Sequence, residues 1–217
     1  MKRLLRWLEE ALWPRGLKCL CCDELSEGEL LCPTCAKALE AMRLSGEEAG
    51  ADNVCSVYRY DGAAKQLVLM LKEGCIADAA FALAEGMAEA VRDMQLPEDT
   101  VLTWVAMPER RRKQRGIDHG RTLCEAVAAR TGLPVRPFLT RTGNLHTQRG
   151  LNREARLQNL SGTIACNERI NVPVLLIDDV LTTGATASAC AQVLMAAGAP
   201  QVYALTATKA MLRTGND

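Results

Sequence analysis

Val174-Leu175-Leu176-Ile177-Asp178-Asp179-Val180-Leu181-Thr182-Thr183-Gly184-Ala185-Thr186 is the stretch on which the fold turns. Its four leading aliphatic residues suit a strand buried on both faces, as in a parallel sheet. Two adjacent carboxylates, Asp178 and Asp179, follow at the C-terminal end of that strand, where open α/β sheets place their ligand crevice. Thr182, Thr183, Gly184 and Thr186 then open a helix expected from about Ala185 to Ala197. Such a loop lets backbone N–H groups close around a phosphate while the helix N-terminus supplies positive potential. Acids for sugar hydroxyls beside a phosphate cradle describe a ribose 5-phosphate site. The blander alternative is a strand-turn-helix with Asp and Thr as N-caps. A cap needs one such residue, whereas two acids, three threonines and a glycine fall within nine positions here.

This segment resembles the phosphoribosyl diphosphate (PRPP) motif of the type I phosphoribosyltransferases. The resemblance implies that Asp178 and Asp179 bind the ribose 2′- and 3′-hydroxyls. It also implies that the loop Thr182, Thr183, Gly184, Ala185 and Thr186 holds the 5′-phosphate.

Outward from the motif, strands alternate with helices. Strands are expected over 54–60, 101–107, 133–139, 172–177 and 201–208, with helices over 63–71, 77–93, 118–131 and 185–197. That alternation predicts an α/β fold with a doubly wound parallel sheet flanked by helices. A polar linker over about 43–53 separates residues 1–42 from a main domain spanning 54–210. The strand ending at Pro108 runs into Arg110, Arg111, Arg112, Lys113 and Arg115. An isolated charge run is usually a solvated face. This one follows a strand at the same sheet edge as the acids, which makes it a candidate diphosphate clamp through charge-assisted hydrogen bonds. A second basic segment carries Arg149, Arg153 and Arg156 on one face if helical. Either segment could instead bind a nucleic-acid backbone. Neither contains an aromatic residue, so base stacking on a single strand has little support there.

The chain has 217 residues, 48% hydrophobic and 24% charged, ordinary values for a soluble globular protein. Its net charge of zero hides an asymmetry. Residues 1–100 carry 11 Lys+Arg against 18 Asp+Glu, and residues 101–217 carry 15 against 8. The basic second half is the part expected to handle anions. No stretch reads as a transmembrane span, and Glu9, Glu10 and Pro14 interrupt any signal peptide, so the chain is expected to be cytoplasmic with reduced thiols. Leu4, Leu5, Trp7, Leu8, Leu12 and Trp13 form an apolar helical face, expected to pack on the protein and otherwise suited to a membrane surface.

Two CxxC knuckles, Cys19–Cys22 and Cys32–Cys35, are separated by nine residues. Turned toward one ion, they complete a tetrahedral Cys₄ zinc site, structural because no position is left open. Cys21 lies within the first knuckle and competes for the metal. Buried free thiols and a redox CxxC are the other readings. The remaining cysteines have no ligand spacing and suit small core positions. The two histidines, His119 and His146, read as surface or loop groups.

Taken together, the doubled CxxC, the Leu71-Lys72 pair, the Arg-Arg-Lys-Gln-Arg-Gly stretch (111–116), the Thr147-Gln148 segment and the motif at 174–186 resemble the ComF (ComF/GntX) family. That resemblance implies an N-terminal Cys₄ zinc module joined to a type I phosphoribosyltransferase-like domain, with a role in DNA uptake during natural competence. PRPP with Mg²⁺ is the implied ligand. Single-stranded DNA, DNA-uptake proteins and a homo-oligomeric copy are the candidate partners. The chain departs from the family at Ile117-Asp118-His119, where an aromatic residue and an Asn are usual after Arg-Gly. It departs again at Glu73-Gly74-Cys75, where an aromatic residue and Arg-Gly usually follow Leu-Lys. The same residues also fit an active phosphoribosyltransferase that passes ribose 5-phosphate to a nucleobase or amine, although no base for the incoming nucleophile can be named.

Overall fold

The computed structural model describes residues 17–51, 53–141 and 163–211. The Leu/Trp face of residues 4–13, and the segment bearing His146, Arg149, Arg153 and Arg156, lie outside the described residues. In chain order the elements are α1 (Pro33–Glu40), β1 (Gly50–Ala51), β2 (Val54–Arg59), α2 (Gly62–Lys72), α3 (Asp78–Asp93) and β3 (Val101–Trp104). They continue with α4 (Glu109–Arg115), α5 (His119–Thr131), β4 (Thr140–Arg141), β5 (Ile164–Ala165), β6 (Val174–Leu181), α6 (Ala185–Ala196) and β7 (Val202–Lys209). The main sheet has the order β1-β2-β7-β6-β3, and β4 pairs with β5 in a small ribbon. β2, β7, β6 and β3 run parallel, and β1 adds an antiparallel edge. This is a parallel sheet flanked by helices, as the alternation of elements predicts.

β6 is one of the two inner strands of the parallel set, paired with β3 on one side and β7 on the other. Val174, Leu175, Leu176 and Ile177 are each at most 1% exposed. Burial of such a side chain stabilises by about 1.5–3 kcal/mol. Alternation along the strand splits them. Leu175 and Ile177 join one core with Leu67, Leu71, Leu83 and Leu123 of α2, α3 and α5. Val174 and Leu176 join the other with Ala189, Cys190 and Leu194 of α6. Helices therefore cover both faces, which is why the strand reads as an unbroken apolar run.

Four expected elements differ. The strand expected over 172–177 begins at Val174 and runs on through both acids to Leu181. The strand expected over 101–107 ends at Trp104. The strand expected over 133–139 is reduced to one parallel bridge, Val135 to Leu102, because Pro134 and Pro137 have no N–H to donate to a ladder. The linker over 43–53 instead holds a 3₁₀ turn (Gly46–Glu48) and β1, and it bonds to β2 through Leu44 N–H to Val57 O at 2.8 Å and Ser56 N–H to Ala49 O at 2.6 Å. Two helix starts are capped by aspartates. The Asp61 side chain accepts from Gly62 N–H and the Asp118 side chain from Arg121 N–H. Among the described residues, no helix is long and apolar enough to cross a membrane.

Gly86 sits in mid-α3, where glycine costs helix stability. Its reason is the close approach of β2, since a Cβ there would run into the ring and hydroxyl of the buried Tyr58. Gly86→Ala is expected to destabilise the fold by roughly 1–3 kcal/mol through overpacking, read by urea denaturation. A variant as stable as the wild type would show that Tyr58 moves aside freely.

Candidate ligand cleft and metal centre

β6 continues through its two acids to Leu181, so alternation sends them to opposite faces of the sheet. Asp179 follows Leu175 and Ile177 onto the α2/α5 side and is 4% exposed. There Lys72 Nζ, from the last residue of α2, lies 2.8 Å from Oδ1, and His119 Nε2, from the first residue of α5, lies 3.1 Å from Oδ2. Its backbone carbonyl accepts from Thr208 Oγ1 of β7 at 2.9 Å. Asp178 turns to the α6 side, partly open, and accepts the N–H of Asp179 at 2.9 Å.

The two carboxyls are driven apart electrostatically. Burial would raise Asp179, but the hydrogen bond from His119 and the ammonium of Lys72 outweigh it and hold the group below the ordinary carboxylate range. Burial, and then the charge of Asp179, push Asp178 up to about 7.

Both acids line a cleft of about 380 Å³ at the C-terminal edge of the sheet. Thr182 and Thr186 line it from the β6–α6 turn, as do Arg111 and Arg115 from α4. Gly184 is left-handed (φ 75°) at the start of α6, a conformation that favours glycine and lets the turn double back. Thr183 Oγ1 faces Ala185 N–H at 3.4 Å, so this threonine supports the turn from within.

The basic stretch is a helix of seven residues, and helical spacing separates its side chains. Arg111 and Arg115, four apart, face the acids. Arg110 and Lys113 line a separate open groove, where Lys113 pairs with Glu109 at 3.0 Å. Arg112 is exposed and lines neither. Two of the five expected diphosphate ligands therefore reach the cleft.

Four further polar residues line it: Tyr60, Lys72, His119 and Arg141. His119, read from sequence as a surface or loop group, is instead half-buried against Asp179. No spacing pattern marks it, because its partner is sixty positions away. Arg141 is half-buried, and its Nε has no partner among the described residues. Burial holds its guanidinium below the ordinary value.

At the N-terminal side the ligand atoms of Cys19, Cys22, Cys32 and Cys35 all lie within 4.8 Å of one another. A tetrahedron with Zn–S bonds of about 2.3 Å has S···S edges of about 3.8 Å, so the four thiols fit a metal ion such as zinc. Cys22 and Cys32 are already 3.6 Å apart at sulfur. Cys32 is the N-cap of α1 and Cys35 lies in its first turn, with burial pushing the Cys35 thiol up. Although burial opposes ionisation of Cys19, backbone N–H groups of Cys32, Cys21 and Cys22 outweigh it and bring the thiol down to about 6. Cys21 stands outside the cluster, its thiol pushed up to about 11 chiefly by burial.

No family model matches the chain. It is similar to the DNA utilization protein YhgH of Salmonella typhi, 28% identical over 202 residues, covering 86% of this chain and 87% of that protein. The YhgH of Salmonella typhimurium is 28% identical over 204 residues with the same coverage. These relatives bear out the resemblance to the ComF/GntX family. Among solved structures, glutamine PRPP amidotransferase from B. subtilis matches at 18% identity and TM-score 0.41 over 60% of this chain. This chain spans 26% of that protein's length. Adenine phosphoribosyltransferase from Leishmania tarentolae matches at 14% identity and TM-score 0.41, over 73% of this chain and 92% of that one. Both likenesses are remote.

The raised carboxyl of Asp178 has a stability consequence. Its folded value, near 7, lies above the unfolded value of about 4, so the folded state is penalised as pH rises between these values and constantly above them. Asp178→Asn is expected to be more stable than wild type at pH 8, with the gain vanishing toward pH 4. Thermal unfolding across pH reads this, and a gain that grows toward acid would contradict it.

Proposed function

We propose that the cleft binds PRPP with Mg²⁺ and that the chain acts in DNA utilization, as the names of its relatives say of them, through DNA uptake. The observation that carries this reading is the convergence of a carboxylate pair, a Thr-Thr-Gly turn at a helix start and two arginines on one cleft. Asp178 and Asp179 take the ribose hydroxyls. Thr182, Thr183, Gly184, Ala185 and Thr186 hold the 5′-phosphate through backbone N–H and hydroxyl groups. Arg111 and Arg115 hold the diphosphate, with Arg110, Arg112 and Lys113 supplying longer-range positive potential. The cleft supplies only two carboxylates, which suits an ion whose remaining positions are filled by ligand oxygens and water. Mg²⁺, held beside Asp178 and Asp179, would supply neutralisation of the charge on the diphosphate leaving group.

One observation favours turnover as a second reading. A carboxyl held near pH 7 has the proton affinity of a general base. In that case a nucleobase or amine nitrogen bonds to C1 as the C1–O bond to diphosphate breaks, and its proton passes to Asp178.

The Cys₄ cluster is proposed as a structural zinc centre that folds residues 1–42 as a module onto the main domain, 54–210.

Calorimetry with Mg²⁺ and PRPP is expected to show binding. Replacing both acids (Asp178→Asn with Asp179→Asn) should weaken it by on the order of 100-fold, because hydrogen bonds to charged groups are lost. Wild type giving neither heat nor a thermal shift at millimolar ligand would remove the PRPP reading. For the metal, chelator-free purification should yield about one zinc per chain. Cys32→Ser should release it and expose the knuckles to protease. A metal-free chain with a protected module would count decisively against zinc.

A further inference from the structure

A second groove, of about 320 Å³, runs between the cysteine module and the main domain and shares no lining residue with the cleft. Leu31 and Leu39 form its module side, and Phe81 and Ala82 of α3 form its main-domain side. Glu29, Glu40 and Glu85 stand along it against Arg130, so an apolar floor lies under an edge of net negative charge. Arg130 is fixed in that wall, 2.8 Å from Glu85 and 5.7 Å from the centre of the Phe81 ring.

One sequence motif has no role in the functions above: the apolar stripe within residues 4–13. Leu4, Trp7, Leu8, Ala11 and Leu12 fall at i, i+3, i+4, i+7 and i+8, a single helical face. Arg3 stands one turn before Trp7 at the edge of that face, and Arg15 follows it. Residues 1–16 hold four basic side chains against two acidic, whereas residues 17–42 hold two against five, so the segment and the module carry opposite charge. The connection is short. Leu20 N–H donates to Leu30 O at 2.9 Å, and Leu30 itself lines the groove. Trp13 stands seven positions before Leu20, within about 25 Å even along an extended chain. Pro14 and Gly16, a helix stop and a turn former, punctuate the link.

We propose that residues 4–13 dock as an amphipathic helix in this groove of their own chain, laying the stripe on Leu31, Leu39 and Phe81 and clasping the cysteine module to α3. A tether this short gives the segment an effective concentration on the order of millimolar at the groove, an advantage that a separate partner or a second copy lacks. Arg3 and Arg15 then face the acids of the edge. Glu9 and Glu10 come to the outer side of the helix, where they oppose contact with an anionic membrane.

The test uses the full chain. With Trp13→Phe and Trp104→Phe, Trp7 is the one tryptophan left. Docking should give it blue-shifted emission, and acrylamide quenching several-fold weaker than in the urea-unfolded chain. Glu29→Lys with Glu40→Lys should restore strong quenching, since both acids are exposed and their loss leaves the core alone. Adding Arg3→Glu with Arg15→Glu should bring the protection back, a rescue that a merely loosened module would not give. In otherwise wild-type protein, a photoreactive diazirine side chain in place of Leu8 should cross-link to residues 29–40 or 81–85 of the same chain. Trp7 quenched as strongly in the folded as in the unfolded chain would overturn the proposal. Cross-links between two chains would replace it with a second copy as the occupant. Protection that appears only when phosphatidylglycerol vesicles are added would replace it with a membrane surface. Cross-links confined to other parts of the same chain would refute the groove as the docking site.

Discussion

A carboxylate carried under cover at the end of a fully buried strand must be met by positive charge or polar N–H groups, and Asp179 is such a group. Removing an ion from water costs several kcal/mol even after relaxation, and the attraction of well-placed partners offsets it only with good geometry. The partners here come from two helices on one face: Lys72 ends α2 and His119 begins α5. Meeting that charge therefore constrains where α2 stops and where α5 starts. It also brings α4 to the cleft, because Arg115 reaches the same histidine. Its neighbour Asp178 faces the other way with weaker compensation, and retains a proton up to near neutrality. One position of strand alternation separates an anion from a group poised to titrate.

Most of the fold was legible because it rests on periodicity. The apolar run at 174–177 and the alternation of strands with helices are local signals, and the four expected helices begin and end within a residue of expectation, while α1 and α4 were not foreseen. Losses occurred where an element depends on partners. Residues 133–139 are rich enough in β-formers to read as a strand, but two prolines cut the ladder to one bridge. The site divided along the same line. The acids and the phosphate turn are contiguous in sequence, so their chemistry could be seen there. The selection of Arg111 and Arg115 from five basic residues required the helix of α4, and the placing of His119 and Arg141 required the tertiary fold.

The cysteine module is bound into the main body more closely than its own spacing suggests. Leu39 of α1 is buried in the same core as α2 and α3, with Leu20, Leu30 and Leu31 packed against that core. Gln66 Nε2 of α2 donates to the Cys21 carbonyl at 2.8 Å, inside the first knuckle. A metal there would tie down the same helix that delivers Lys72 to Asp179. The thiol cluster and the cleft share α2 as a common support, a helix of about three turns and on the order of 16 Å.

The pairing of β2 with β7 sets a timetable for the growing chain. Ser56 and Thr206 share a hydroxyl–hydroxyl hydrogen bond of 2.7 Å across 150 residues. During synthesis at about 5–20 residues per second, β2 waits on the order of ten seconds for its neighbour to leave the ribosome. Throughout that interval its apolar side and one backbone edge are open to other nascent strands, the exposure that invites mispairing. The antiparallel cover that residues 44–51 lay along β2 protects its other edge from the outset. Late closure of so distant a pairing predisposes the chain to slow folding, with the cleft completed after both flanking helices have formed.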